Sequence, residues 1–164
     1  MTLLAFLFMG CDKTDEPPYV KAYQLSFVDK EGNDLLKDIE FTPGAIGSLP
    51  FLKKGTYSCE FVKPEKSKTT FFNIVPVELE KVNGYNALNI GVTMNDKYES
   101  SLTHRFICPF IFGDDKEHIL VSYWKSEDNP YDAILVRLTV DGKDGKIVEN
   151  SYKYKRHVIA ILNK

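Results

Sequence analysis

From Tyr23 onwards, hydrophobic and polar residues alternate with a period of two, which is the pattern of strands that bury one face. Glycine, asparagine and aspartate interrupt this alternation about every eight to twelve residues, as turns between short strands do. The alternating segments are 23–27, 56–62, 70–79, 88–94, 104–110, 118–124, 133–140 and 156–162. No window has a sustained helical period, so the pattern predicts a domain built from strands.

Three local features refine this prediction. Pro109 cannot donate a ladder hydrogen bond, so it predicts an edge position or a bulge in segment 104–110. The sequence DGKDGK at 141–146 is the clearest hairpin turn. Segment 76–82 is compatible with helical turns because it begins with proline, although its alternation favours a strand.

Seven to nine short strands joined by such turns are typical of an all-β fold, an antiparallel β-sandwich or barrel, and we expect the sandwich. The expected domain resembles immunoglobulin-like or transthyretin-like domains and spans residues 22–164. Composition agrees, because 13% of the residues are aromatic and such residues favour sheets. The last strand, 156–162, should be tied into the sheet.

The N-terminal stretch LLAFLFMGCDKTDE, residues 3–16, has a different pattern. Seven apolar residues are followed by Gly10 and Cys11, and acidic residues come directly afterwards. The apolar run is too short for a membrane span, which needs about 20 residues, and it is typical of the core of a secretory signal. Phe8, Met9, Gly10 and Cys11 together resemble the lipobox of bacterial lipoproteins.

This resemblance implies a signal peptide at 1–10 and a mature chain that begins at Cys11, where acyl chains such as palmitate attach. Residues 11–21 would then form a tether between lipid and domain. The acidic run resembles that of surface-exposed lipoproteins of Bacteroidetes-type bacteria, so the implied location is the outer membrane or cell surface. The alternative is that residues 3–9 form a core strand and that Cys11 is an ordinary thiol.

The charge balance excludes one class of partner. The chain has 21 basic and 23 acidic residues and no basic stripe, so we expect no nucleic-acid partner.

If Cys11 is acylated, Cys59 and Cys108 remain in an oxidising compartment, where they can form a disulfide. The alternative is that each is a small buried apolar side chain.

Catalytic and metal-binding motifs are absent from the sequence: there is no G-x-S-x-G elbow, phosphate-binding loop or H-E-x-x-H. His104 and Cys108 would lie about 13 Å apart on a strand, which is too far to share one ion. We therefore expect a non-enzymatic protein with no cofactor and no metal. A hydrolase, or a hydrolase inhibitor, with a site built from His104, His118 and nearby carboxylates is the alternative.

The stretch SYWKSEDNPYD, residues 122–132, is the strongest candidate for ligand binding. Trp124 is the only tryptophan and lies at a strand end, beside a loop that holds Tyr131. Exposed rings at such a place would stack on a sugar or on a partner's side chain. The other interpretation, which we favour, is that Trp124 anchors the core, because aromatic rings supply much of a core's buried area.

These observations predict a membrane-anchored envelope lipoprotein that acts as a binding or assembly module. Its partner would be a glycan or another envelope protein. A pocket that gathers the histidines would instead favour the hydrolase. Long exposed strand edges without a pocket or an aromatic platform would favour a third class, a purely structural envelope component.

Overall fold

The structure is a computed structural model, and it describes residues 19–65, 67–74, 76–94, 100–126, 133–149, 151–152 and 155–164. Residues 1–10, Cys11 and Tyr131 lie outside the described residues, so their expected roles stay predictions. Within the described ranges, no helix combines the length and the apolar composition of a membrane span.

The described residues form two β-sheets that pack together as a sandwich, which confirms the predicted all-β fold. The elements, in chain order, are β1 Tyr19–Val28, β2 Phe41–Thr42, β3 Phe51–Leu52, β4 Ser58–Val62, β5 Phe71–Asn73, β6 Glu78–Val82, β7 Tyr85–Met94, β8 Ser101–Ile107, α1 Pro109–Phe112, β9 His118–Ser126, β10 Ala133–Val140, β11 Lys143–Asp144, β12 Lys146–Ile147 and β13 His157–Ile161. The larger sheet has the order β12-β13-β1-β7-β6-β3-β2, and β5 also pairs with β7. The smaller sheet has the order β11-β10-β9-β8-β4.

Eight of the described strands have five or more residues, in agreement with the seven to nine that alternation predicts. The other five, namely β2, β3, β5, β11 and β12, have only two or three residues, which is too short for a period of two to be visible. Segment 76–82 contains the strand β6, as the alternation favours.

Strand β1 lies in the middle of the larger sheet. It pairs antiparallel with β7 and parallel with β13, so the C-terminal strand is tied into the sheet as predicted. The inward residues of β1 contact the smaller sheet: the ring of Phe27 lies 6.4 Å from that of Phe106 on β8. Aromatic and aliphatic side chains from both sheets form one hydrophobic core.

The predicted DGKDGK turn joins β10 to β11. Val140 faces Lys143, and the two residues between them, Asp141 and Gly142, both have positive φ angles of 49° and 78°. Two successive residues with positive φ define the type I′ hairpin, which asparagine, aspartate and glycine favour.

Two boundaries differ from the sequence prediction. Strand β8 ends at Ile107, and Pro109 begins the helical turn α1 rather than occupying an edge or a bulge, because proline suits the first helical position. Strand β1 begins at Tyr19, so the last three residues assigned to the tether belong to the sheet. The charge of Lys21 suggested solvent, but this residue is buried, with its ammonium 6.0 Å from the centre of the Trp124 ring.

Candidate functional site

Trp124 belongs to the core and not to a surface platform. Only 6% of the residue is exposed, and its indole N–H donates a hydrogen bond of 2.9 Å to Ser122 Oγ, which is also buried. The core interpretation of Trp124 therefore fits the structure, and its ring is not presented to a ligand for stacking.

Cys59 and Cys108 are free, buried thiols. Cys59 faces Phe106 across β4 and β8, so Cys108 occupies the diagonal position two residues further along. Diagonal residues lie about 7–8 Å apart, whereas a disulfide needs Cα atoms about 4.4–6.8 Å apart. Forming the bond would therefore require a backbone shift. Burial raises the pKa of Cys59 to about 12, which makes its thiol unreactive.

The two histidines of the hydrolase alternative have different environments. His104 is fully buried between the sheets, and neither ring nitrogen has a hydrogen-bond partner among the described residues. Burial lowers the pKa of His104 to about 4, and the backbone of Gly91 opposes this shift only in part. A neutral ring that is fully enclosed in the core cannot exchange protons with a substrate, so His104 is a core residue.

His118 lies at the surface between two carboxylates. Its Nδ1 is 2.7 Å from Asp141 Oδ2 and its Nε2 is 3.0 Å from Asp114 Oδ1, while the ring stacks on Phe112. Each ring nitrogen of His118 therefore lies within hydrogen-bond distance of a carboxylate oxygen. The hydrogen bond from His118 lowers the pKa of Asp114. No cluster of metal-ligating side chains occurs among the described residues.

The outward face of the larger sheet carries a different arrangement. Its registers align residues from adjacent strands, because Gln24 on β1 faces Asn89 on β7, which in turn faces Glu78 on β6. We call the following set the polar face: Gln24, Ser26, Glu78, Glu80, Asn89, Lys155 and His157. Four of its residues, Gln24, Ser26, Asn89 and His157, are buried although they point away from the core.

One carboxylate oxygen is the centre of the polar face. Glu80 Oε2 accepts hydrogen bonds from Gln24 Nε2 at 2.9 Å, from Lys155 Nζ at 2.9 Å and from Asn89 Nδ2 at 3.3 Å. Burial alone would raise the pKa of Glu80, but the hydrogen bonds, led by the one from Lys155, outweigh it and lower the pKa. Glu80 is therefore ionised, and it fixes the orientation of its three neighbours.

Asn89 has an acceptor that no described residue uses. Its amide nitrogen donates to Glu78 Oε2 at 3.2 Å as well as to Glu80, whereas its Oδ1 has no hydrogen-bond partner among the described residues. The two carboxylates identify which end of the amide is the nitrogen, because an amide oxygen facing them would be repelled. Asn89 is 6% exposed, so the unpaired oxygen costs free energy unless a ligand or water meets it.

A pocket of about 130 Å³ lies beside this amide. Besides Asn89, its lining includes Glu78, Lys155, Ala22 and Ile74. Gly91 contributes to the floor, where β1 and β7 approach so closely that a Cβ at position 91 would lie 2.6 Å from the carbonyl oxygen of Lys21. We call this cavity the Asn89 pocket. It combines polar groups of fixed orientation with apolar walls, as small-molecule sites do.

A serine and a histidine also meet on the polar face. Ser26 Oγ donates to the Asn86 carbonyl at 2.7 Å, so it accepts from His157 Nε2 at 2.8 Å. His157 Nδ1 is then the acceptor for the Asn83 amide at 3.1 Å. Because the serine proton points to a backbone carbonyl and both residues are fully buried, this pair ties strands together and is not a nucleophile with its base.

Two larger apolar concavities share Tyr57. One, of about 490 Å³, is lined by residues that include Phe51, Leu52 and Pro76. The other, of about 440 Å³, is lined by residues that include Ile107 and Phe110. The residues that line them include no acidic, histidine or cysteine side chain, so neither concavity offers groups for acid–base chemistry or metal binding.

Sequence reasoning missed the polar face because alternation assigns these residues to solvent. The available signal was the residue type. Gln24 and Asn89 have uncharged amide side chains between apolar neighbours, and such side chains are buried more readily than those of lysine or glutamate. No family model, no curated protein and no solved structure matches this chain.

Proposed function

We propose that this protein is a lipid-anchored binding module of the bacterial cell envelope and that its partner binds at the Asn89 pocket. In this proposal the signal of residues 1–10 exports the chain, Cys11 carries the acyl chains and the sandwich holds the recognition site. The observation that carries the binding role is a pocket that brings together Glu78, Lys155 and apolar walls beside the buried amide of Asn89, whose Oδ1 has no hydrogen-bond partner among the described residues.

The anchor sets the range of partners. A single acyl chain gives only marginal membrane affinity, whereas the several chains of a lipoprotein cysteine hold a protein at the membrane. The partner would then be a component of the same envelope, either a glycan or another envelope protein.

Binding fits the described residues better than catalysis does. Lys155 at the pocket is paired with Glu80 at 2.9 Å, so it is a charged partner of that carboxylate and not a free base. The buried Ser26 and His157 have hydrogen bonds that oppose nucleophile activation. His104, which the hydrolase alternative needs, has no polar partner among the described residues.

A purely structural role fits less well, because its expected feature is long open strand edges. The outermost described strands of the larger sheet, β2 and β12, have two residues each. In the smaller sheet the outermost described strands, β11 and β4, have two and five residues, and β10 has a bulge between Leu135 and Arg137 where it pairs with β9.

The test uses one variant that fills the pocket and one matched control. Ala22→Leu adds three carbons at the pocket wall, whereas Val20→Leu enlarges an exposed residue two positions earlier on the same face of β1. All three chains also carry Cys11→Ser, so that no acyl chain holds them at the membrane. We expect envelope fractions of the native host to retain the chain with Ala22 and the Val20→Leu variant, and to lose Ala22→Leu. Equal retention of all three chains, with unchanged thermal unfolding, would remove the pocket from the proposal.

A further inference from the structure

The geometry points to a neutral sugar as the ligand of the Asn89 pocket, held through two neighbouring hydroxyl groups of one ring. This inference rests on the proposed binding function and adds the chemical class of the ligand. It follows from the mixture of hydrogen-bond donors and acceptors at the pocket, from their charges and from the size of the cavity.

The acceptor at the pocket is Glu78, whose carboxylate offers two oxygens. The buried amide of Asn89 fixes this carboxylate, because its Nδ2 donates to Glu78 Oε2 at 3.2 Å and to Glu80 Oε2 at 3.3 Å. A ligand group that lies beside Glu78 must therefore bring a hydrogen-bond donor.

The donor is the ammonium group of Lys155. It has three N–H groups, one of which Glu80 Oε2 accepts at 2.9 Å. The side chain of Lys155 is 41% exposed, so its remaining N–H groups face solvent or a ligand. A ligand group beside Lys155 must therefore accept hydrogen bonds, while a group beside Glu78 must donate them.

A hydroxyl group does both, and two adjacent hydroxyls on a ring satisfy the two requirements together. The two charged classes fit less well. A ligand ammonium cannot accept the hydrogen bonds that Lys155 offers, and a phosphate or carboxylate would be repelled by Glu78 and Glu80, which leave a formal charge of −1 when Lys155 is counted. The neutral diol is the class that neither charge opposes.

Cavity size and walls agree with one edge of a sugar ring. The volume of about 130 Å³ corresponds to about four water molecules at about 30 Å³ each, which is room for part of a ring and not for a peptide segment. Ile74 and Ala22 supply apolar wall for the C–H groups of the ring. The rest of a longer glycan would extend into solvent.

Periodate treatment tests this class, because periodate cleaves the carbon–carbon bond between neighbouring hydroxyls. The full chain, purified in detergent, is applied to an array of neutral hexose-terminated glycans before and after oxidation, beside an array of lysine-rich and acidic peptides. We expect binding to at least one neutral glycan, a loss of about tenfold or more after oxidation, and a similar loss for Ala22→Leu and Glu78→Gln. Val20→Leu and Glu31→Gln, at an exposed loop position, should bind as wild type does.

The outcomes separate the inference from the proposed function. Binding to a peptide that Ala22→Leu abolishes would overturn the sugar class and leave the binding module in place. Glycan binding that survives oxidation would overturn the diol. No binding that depends on Ala22 or Glu78, with both variants folded by thermal unfolding, would overturn the inference and the proposed site together.

Discussion

The two faces of the larger sheet are built from the same strands, yet one face buries apolar side chains and the other buries polar ones. On β1 and β7, Leu25 and Leu88 face inward and are fully buried against the smaller sheet. Their chain neighbours Gln24 and Asn89 face outward and are nearly as buried, although they are polar. Water is excluded from the inner face by the second sheet, and from the outer face by a hydrogen-bonded layer of side chains.

The comparison shows how a rigid recognition site is obtained on a sandwich. On β1, β6, β7 and β13, each residue of the polar face is one peptide unit away from a core residue, so its backbone cannot move without disturbing the core. Glu80 then holds the side chains of Gln24, Asn89 and Lys155. The polar face therefore contributes little to the free energy of folding and much to a fixed arrangement of donors and acceptors, whereas the inner face supplies the stability.

The largest effect should come from the inner face. Phe27→Ala removes a fully buried ring that contacts Phe106 and Phe112, and we expect a loss of about 3–5 kcal/mol in the free energy of unfolding, measured with denaturant. Val20→Ala, on the exposed end of the outer face of the same strand, should change it by about 0.5 kcal/mol or less. Equal losses would contradict the division between the faces.

The next effect is a pH dependence that arises in the core. The pKa of His104 is about 4 in the folded chain because of burial, and about 6.5 when unfolded. Between pH 6.5 and pH 4 the unfolded state therefore binds more protons than the folded state does. The free energy of unfolding, which is highest above about pH 6.5, falls by about 3 kcal/mol as the pH approaches 4. The pKa of His157 is also lowered by burial, which adds a contribution of the same sign.

Unfolding free energies at pH 7 and pH 4.5 measure this dependence. His104→Leu should lose less stability on acidification than the wild type does, because the group that must be protonated is gone. The part that His157 contributes should remain. A wild-type slope unchanged in His104→Leu would show that His104 is not neutral in the core.

A smaller effect is expected on the polar face. Glu80→Gln and Lys155→Met each remove one member of a 2.9 Å ion pair whose side chains are 30% and 41% exposed. We expect a coupling energy of about 0.5–1 kcal/mol in a double-mutant cycle, decreasing at high salt because both groups are reached by solvent. Strict additivity of the two substitutions would show that Lys155 is not held by Glu80.

The smallest effect has the opposite sign. The hydroxyl of Tyr23 is buried without a hydrogen-bond partner among the described residues, and burial raises its pKa well above the ordinary value. Tyr23→Phe removes this unsatisfied group and keeps the ring, so we expect stability to increase by up to about 1 kcal/mol in the same denaturant assay. A loss of more than about 1 kcal/mol would reveal a partner for the hydroxyl.

The sequence predicts the strands well because alternation depends only on neighbours within one segment. It predicts the hairpin after β10 because Asp141 and Gly142 are suited to positive φ. Alternation cannot predict the polar face, because the contacts there are long-range. Lys155 and Glu80 are separated by 75 residues, and no local pattern encodes the parallel pairing that brings β13 beside β1. Lys21 shows the same limit, since its burial depends on a tryptophan on the other sheet.

The polar face can meet an envelope ligand only if the chain is exported and anchored, so the state of the N-terminus tests the central claim most directly. The measurement is the intact mass of the protein extracted from membranes of its native host. We predict a mature chain that begins at Cys11 and carries acyl chains. A chain that retains an unmodified Met1 would contradict the account.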